Sequence, residues 1–178
     1  IGRAVADRHV KRPPGERILR KLILTTAPHP DRMMALMPLA RLAKPLLPRG
    51  LAGSVPATHP DREPWPHAHH KRKVLLLQGC VQSVHQPEIN HAAARVLNRL
   101  GIQAIPADGC CGALPQHLSA EQQTLQAVRR NIDRCGRLIE EGAESLLLTA
   151  SGCATTVLDY GRLLENDPKY AKRAQKLS

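Results

Sequence analysis

Three short apolar runs, separated by segments of helical periodicity, constrain the fold of the C-terminal part of the chain more than any other feature. The runs are residues 73–78, 102–106 and 145–150. The helical segments are 88–100, 120–141, 154–164 and 167–177. Continuous apolar runs are typical of strands that are buried on both faces of a sheet, and strand–helix alternation implies right-handed crossovers between parallel strands. We therefore predict an α/β domain with a small parallel three-stranded sheet and flanking helices.

The N-terminal part differs from this domain in charge and in proline content. Residues 1–73 hold 15 Lys and Arg against 5 Asp and Glu, and 11 of the 15 prolines, whereas residues 74–178 hold 11 basic against 10 acidic residues. Helical periodicity over 1–22 is broken at residues 13–15, and a short amphipathic helix is predicted at 16–24. Asp31 would cap a further helix, which Pro38 would interrupt. Prolines then alternate with histidines and charges, as in a linker. The predicted organisation is a basic helical segment at 1–49, a Pro/His-rich linker at 50–73 and the α/β domain at 74–178.

Four of the five cysteines follow the ends of predicted strands. Cys80 follows the first strand, Cys110 and Cys111 follow the second, and Cys153 follows the third. The neighbouring glycines are Gly79, Gly109, Gly112 and Gly152. Because the carboxyl ends of parallel strands share one edge, where open α/β sheets bind ligands, we expect the four thiols to converge. Glycine permits tight backbone approach, and free N–H groups can hydrogen-bond to cluster sulfur. The pattern is typical of a ligand set for an iron–sulfur centre.

Other interpretations of these cysteines stay open. They could be ordinary buried residues, or four ligands of a zinc ion, although the paired C-x2-C spacing of many zinc sites is absent. Cys110 and Cys111 could also form a vicinal disulfide or exchange disulfides without a metal. Cys135 lies within a predicted helix and is expected to be a small core residue. We recognise no catalytic side-chain arrangement, so hydrolysis has no support.

The charge and the cysteine usage also bear on partners and location. A basic N-terminal part attracts nucleic acid non-specifically, but Trp65 is the only aromatic residue in 1–73, so stacking platforms for bases are missing. We therefore expect no nucleic-acid partner. We expect His67, His69 and His70 to be polar linker residues. Ser119 and Gln122 form a capping-box pattern before the helix at 120–141. An odd cysteine count without a visible secretory signal argues for the cytoplasm.

The cysteine motifs resemble those of a known family. Cys80, the Cys110-Cys111-Gly112 triplet and the Ser151-Gly152-Cys153 triplet are similar to the cysteine-rich CCG domain of the heterodisulfide reductase type. The segments that resemble the iron–sulfur subunits of bacterial glycolate oxidases are 79–82, 90–102, 109–114, 129–133 and 149–153. The general family pattern has a further cysteine at the position of Ala150. Family members usually add a two-cluster ferredoxin module and a second CCG domain, so the resemblance implies a central piece of a longer subunit.

The resemblance implies a role in electron transfer. A partner subunit containing FAD would oxidise glycolate to glyoxylate, and this chain would pass the electrons to a quinone or a similar acceptor. The implied cofactor is an iron–sulfur cluster of the 4Fe-4S type, with Cys80, Cys110, Cys111 and Cys153 as ligands. No catalytic residue or independent activity is expected, and peripheral association with the inner face of the cytoplasmic membrane stays open. The alternatives are a lactate-utilisation or heterodisulfide reductase-like system, or a metal-free thiol redox protein.

Overall fold

The N-terminal part of the chain is helical where the structure describes it. The computed structural model describes residue 5 and residues 9–10, 12–47, 49–53, 55 and 64–178. The N-terminal helices are α1 (Pro14–Thr26), α2 (Pro30–Leu42) and α3 (Arg49–Ala52), with a 3-10 turn at Lys44–Leu46. Residues 54 and 56–63 of the predicted linker lie outside the described residues. From residue 64 onward the chain is described without a gap.

A single three-stranded sheet organises the C-terminal part of the chain. Its strands are β1 (Arg72–Leu77), β2 (Ile102–Ala107) and β3 (Leu146–Leu148), in the order β2-β1-β3. Both pairings are parallel, with Val74 opposite Ala104 and Leu75 opposite Leu146. The predicted α/β fold with a small parallel sheet is therefore confirmed. The central position of β1 means that its carboxyl end has the other two strand ends as neighbours.

Helices occupy each connection and the segment after the last strand. They are α4 (Gln82–His85) and α5 (Pro87–Arg99), α6 (Ala113–His117) and α7 (Glu121–Glu140), and α8 (Ser151–Leu158), α9 (Tyr160–Leu163) and α10 (Ala171–Leu177). The short helices α4 and α6 were not predicted from the sequence. No helix in the described part of the chain is both long and apolar enough to span a membrane.

The core lies on both faces of β1. On one face, Leu75 and Leu77 pack in a cluster with Val128 and Ile132 of α7 and Tyr160 of α9. On the other face, Leu76 packs with Ala94, Ala104 and Trp65. The Trp65 indole N–H donates to the Ala104 carbonyl at 3.0 Å, so this residue of the predicted linker contacts the sheet. The apolar runs that predicted the strands are thus explained by burial on two sides.

Three local predictions were wrong. Helix α2 begins at Pro30 after the N-cap residue His29, and not after Asp31. It continues through Pro38, which is exposed, so the ring is accommodated on the solvent side of the helix. The capping box at α7 is absent, because Ala120 is the N-cap residue and Ser119 has a φ of 57°. Turn geometry between α6 and α7 overrides the local capping pattern here.

Candidate metal centre at the carboxyl edge of the sheet

The strand ends bring the cysteines to one edge of the sheet. Cys80 follows β1 by way of Gly79, which has a φ of 69°, and Cys110 follows β2 by way of Gly109. Cys153 lies in the first turn of α8. The helix was predicted to begin at residue 154, but β3 pairs over only three residues and α8 begins at Ser151. The last cysteine is therefore held by a helix and not by a loop.

The four thiols lie as two contacting pairs. The Sγ atoms of Cys80 and Cys110 are 3.4 Å apart, and those of Cys111 and Cys153 are 3.0 Å apart. Cys80, Cys110 and Cys111 are buried, whereas Cys153 is partly exposed. All of them are free cysteines. Among the residues that the structure describes, no three or more His, Cys, Asp or Glu side chains are arranged around one point that could hold a single metal ion.

Each pair contains one proton donor and one acceptor. The neighbouring thiols of Cys111 and Cys80 lower the pKa of Cys110 to about 3, against the opposing effect of burial. The contact with Cys110, together with burial, raises the pKa of Cys80. In the second pair, contacts with Cys110 and Cys153 raise the pKa of Cys111, and the hydrogen bond from Cys111 lowers the pKa of Cys153. Within each pair the pKa is lowered at the sulfur that accepts the hydrogen bond, Cys110 or Cys153, and the thiolate is the form that binds metals.

Two glycines of the loop after β2 are required by their surroundings. Gly109 has a φ of 154°, and a Cβ there would lie 2.5 Å from the Asn131 Oδ1 atom. Gly112 has a φ of 91°, and a Cβ there would lie 3.4 Å from Val128 Cγ2. Both positions combine a left-handed backbone with close packing against α7, which only glycine accommodates without strain. Gly152, by contrast, has open space around it and no positive φ.

A buried hydrogen-bond network holds the carbonyl groups of the two adjacent cysteines. The Asn131 side-chain amide donates to the Cys110 carbonyl at 2.9 Å and to the Tyr160 hydroxyl at 2.9 Å. The Tyr160 hydroxyl donates in turn to the Cys111 carbonyl at 2.8 Å. Both side chains are buried, Tyr160 completely. Asn131 of α7 and Tyr160 of α9 thereby hold the backbone of the loop after β2 in place.

A second network joins the loops after β1 and β3. The Gln82 side-chain amide donates to Asn90 Oδ1 at 3.0 Å and to the Thr149 hydroxyl at 2.6 Å, and that hydroxyl donates to Asn90 Oδ1 at 2.6 Å. The Asn90 amide donates to the Gln78 carbonyl at 2.9 Å. Asn90 is fully buried. The segments that precede and follow Cys80 are thus tied to the segment that precedes Cys153.

The remaining candidates lie away from this edge. Cys135 is fully buried in the core cluster, as predicted, and burial raises the pKa of its thiol to about 11. His70 lies with its Nε2 atom 2.8 Å from Asn98 Oδ1, whereas His67 and His69 are exposed. The sequence analysis missed both hydrogen-bond networks, because their members come from helices and loops that are distant along the chain.

Comparisons with known proteins agree with the cysteine pattern. The family described as the cysteine-rich domain, of the CCG type, matches residues 74–157. Over its full length the chain is 44% identical to the glycolate oxidase iron-sulfur subunit of Escherichia coli (strain K12), of which it covers 44%. Over 60% of its length it is 31% identical to lactate utilization protein A of Bacillus thuringiensis (strain Al Hakam) and of Bacillus cereus (strain B4264), covering 43% of each. The chain thus spans less than half of these relatives. No solved structure is significantly similar to it.

Proposed function

We propose that residues 74–157, which the model of the cysteine-rich CCG domain matches, bind an iron–sulfur cluster in an electron-transfer subunit of a glycolate oxidase-type complex. The observation that carries the proposal is the convergence of four free thiols at the carboxyl edge of the sheet. The similarity to the Escherichia coli subunit extends over the full chain, whereas the similarity to the lactate utilization proteins covers 60% of it. This difference favours the glycolate system over the lactate alternative.

The donor set fits an iron–sulfur cluster. Cys80, Cys110, Cys111 and Cys153 supply four soft sulfur donors, and Fe–S clusters are held by cysteine thiolates. Backbone N–H groups of Val81, Gly112 and Ala113 each act to lower the pKa of a cysteine, Cys80, Cys110 and Cys111 respectively, but at Cys80 and Cys111 the neighbouring thiols and burial outweigh them and raise the pKa. When bound, a cluster of the proposed 4Fe-4S type supplies one-electron transfer. The chain's own residues hold it, exclude water by burial and present N–H donors to its sulfur ligands.

Metal analysis of the chain, purified without oxygen, tests this proposal. We expect iron with matching acid-labile sulfide and a visible absorption band, both lost in Cys111→Ser. Cys135→Ser is the matched control, because Cys135 is equally buried but lies in the apolar core. Zinc without iron, the absence of metal after reconstitution with iron and sulfide, or equal iron loss in both variants would contradict the proposal.

The proposed partners follow from the role of such a subunit. A flavin-containing subunit with FAD oxidises glycolate to glyoxylate, and this chain relays the electrons to a quinone or a similar acceptor without binding glycolate itself. The chain has no catalytic residue in this scheme. Stopped-flow mixing with a reduced flavoprotein subunit tests the relay, since the absorbance of the iron–sulfur centre should bleach with glycolate and not with lactate as the reductant of the flavin. Bleaching with lactate alone would favour the lactate-utilisation alternative.

We also propose that the basic segment at 1–49 binds peripherally to an anionic membrane at its cytoplasmic face, while the domain at 74–178 carries the cluster beyond the linker at 50–73. Ile18, Leu19 and Leu22 of α1 are more than half exposed, and the net charge of residues 1–73 is positive, a combination that favours anionic lipid. We expect the chain to sediment with phosphatidylglycerol vesicles but not with phosphatidylcholine vesicles. Leu19→Glu should abolish this binding, whereas Leu158→Glu, at a leucine of α8 that is also more than half exposed, should not. Equal behaviour of the two variants would refute the proposal.

A further inference from the structure

A cavity of about 180 Å³ lies between the N-terminal helices and helix α7. Its polar lining residues are Thr25, His29 and Arg32 on the N-terminal side and Gln123, Gln126 and Arg130 on α7. Two contacts outside the cavity hold the N-terminal side against the rest of the chain. Helix α2 contacts α4, and the Arg20 side chain of α1 donates to the Leu118 carbonyl at 3.5 Å. The cavity is therefore a space between the basic segment and the part of the chain that carries the cysteines.

The lining of this cavity supplies positive charge and hydrogen-bond donors, and no acidic residue contributes to it. The Arg32 guanidinium donates to the Thr25 carbonyl at 2.8 Å, which occupies one of the five N–H donors of this group. Among the residues that the structure describes, neither Arg32 nor Arg130 forms an ion pair with a carboxylate. Both side chains therefore keep donors for an anion.

The size and the charge of the cavity select the kind of ligand. Positive charges from two separate elements repel each other across a shared cavity, and a bound anion removes that repulsion. The volume corresponds to about six water molecules at about 30 Å³ each, which suits a small group. A carboxylate offers two oxygens in one plane, and a single guanidinium fork occupies both. Donors on two sides of a cavity fit a phosphate group better, because its oxygens point in several directions.

We propose that this cavity binds a phosphate group between Arg32 of α2 and Arg130 of α7. The side-chain amides of Gln123 and Gln126 add donors from α7, and the hydrogen bond to Thr25 keeps Arg32 in position. Because the two arginines belong to different parts of the chain, the bound phosphate holds the basic segment against the part that carries the cysteines.

The phosphate comes either from the headgroup of an anionic phospholipid or from a free phosphate compound, and helix α1 favours the lipid. Ile18, Leu22 and Thr25 have the spacing i, i+4, i+7 and therefore share one face of this helix. Ile18 and Leu22 are more than half exposed, and Thr25 lines the cavity. An acyl chain on this apolar face thus lies next to a headgroup in the cavity. The lipid source rests on the membrane binding proposed above, whereas the phosphate site does not.

Isothermal titration calorimetry of the full chain at constant ionic strength tests the site. The ligands are inorganic phosphate and dihexanoyl phosphatidylglycerol below its micelle concentration. We expect Arg130→Gln to weaken the binding of both ligands about tenfold or more, because a charge-assisted hydrogen bond is lost. Arg130 is exposed, so its replacement leaves the core intact. The matched control is Arg137→Gln, which removes the same charge from an exposed position of α7 that does not line the cavity and should change neither affinity.

A second measurement uses the wild-type chain and does not depend on the folding of a variant. In NMR spectra, the side-chain amide resonances of Gln123 and Gln126 should shift when phosphate is added, whereas the resonance of Asn166, which is exposed and does not line the cavity, should not. Tighter binding of the lipid than of inorganic phosphate, with the excess lost in Leu22→Ser, would support the site with a lipid as its source. Equal affinities would support it with free phosphate as the source.

Three results would overturn the proposal. They are the absence of binding for both ligands, equal weakening by Arg130→Gln and Arg137→Gln, and glutamine resonances that do not move. Equal weakening would leave only a general attraction of anions to the basic surface. Iron analysis and vesicle sedimentation with Leu19→Glu do not involve Arg130, so these experiments report separately on the cluster and on membrane binding.

Discussion

Gly109→Ala tests whether the loop after β2 depends on the close approach of Asn131. The added Cβ would lie 2.5 Å from Asn131 Oδ1, and Asn131 is held by two hydrogen bonds inside the protein. Moving it would break these bonds, at about 1 kcal/mol for each. The left-handed backbone adds about 1–2 kcal/mol for a residue with a side chain. We therefore expect the free energy of unfolding to fall by about 3–4 kcal/mol.

The assay is guanidinium unfolding of the metal-free chain, with Gly142→Ala as the matched control. Gly142 also has a positive φ, of 102°, but a Cβ there would meet nothing within 4 Å, so its replacement tests backbone strain alone. Gly109→Ala should be the more destabilising of the two. Its excess over Gly142→Ala should disappear when Asn131 is replaced by alanine. Equal destabilisation by the two glycine variants, or an excess that persists without the Asn131 side chain, would refute the reasoning.

Three further substitutions test contacts in the core, beside the site and at the surface. Cys135→Ser should lower the free energy of unfolding by about 1–3 kcal/mol, since it buries a hydroxyl in an apolar core, and it should leave the iron content unchanged. Thr149→Val should lower it by a similar amount in denaturant unfolding, about 1–3 kcal/mol, by leaving Gln82 and Asn90 partly unpaired. Burial acts to raise the pKa of Asp133, but hydrogen bonds from Tyr170 and Arg173 outweigh this effect and lower the pKa. Asp133→Asn should therefore reduce the melting temperature at pH 7, and the difference should vanish as the pH falls through the lowered pKa.

The sequence predicts the sheet because the continuous apolar pattern of its strands results directly from their burial on both faces. Strands that are covered on both faces must be apolar along their whole length, and β1 is the clearest case, with Leu75 and Leu76 fully buried on opposite faces. The positions of the cysteines follow from the same topology. Once the strands are parallel, residues that come directly after them share an edge. This is why residues as distant along the chain as Cys80 and Cys153 could be expected in one site.

The pairing of the thiols could not be predicted, because it depends on the strand order and on side chains that have no local signature. Cys80 contacts Cys110 across the neighbouring strands β1 and β2, whereas Cys111 contacts Cys153 although β1 lies between their strands, β2 and β3. A sequence with three strands allows other orders. Asn131 lies on the buried face of α7, at a position where the helical spacing alone predicts an apolar core residue. Only the fold shows that its amide reaches the loop after β2.

The two hydrogen-bond networks have a common consequence for the exposed side of the site. Tyr160 and Asn131 hold the loop after β2 through its carbonyl groups. Thr149 bonds to the side chains of Gln82 and Asn90, and Asn90 donates to the Gln78 carbonyl before Cys80. Cys153 is the one sulfur of the four that is partly exposed, and it lies at the beginning of a helix with an open glycine beside it. Because the other three cysteines are buried, we expect solvent to reach the site from the side of Cys153. We therefore expect a water-soluble alkylating reagent to modify Cys153 before the other three in the metal-free protein, and peptide mass spectrometry to identify it. Earlier modification of Cys80, Cys110 or Cys111 would place the opening of the site elsewhere.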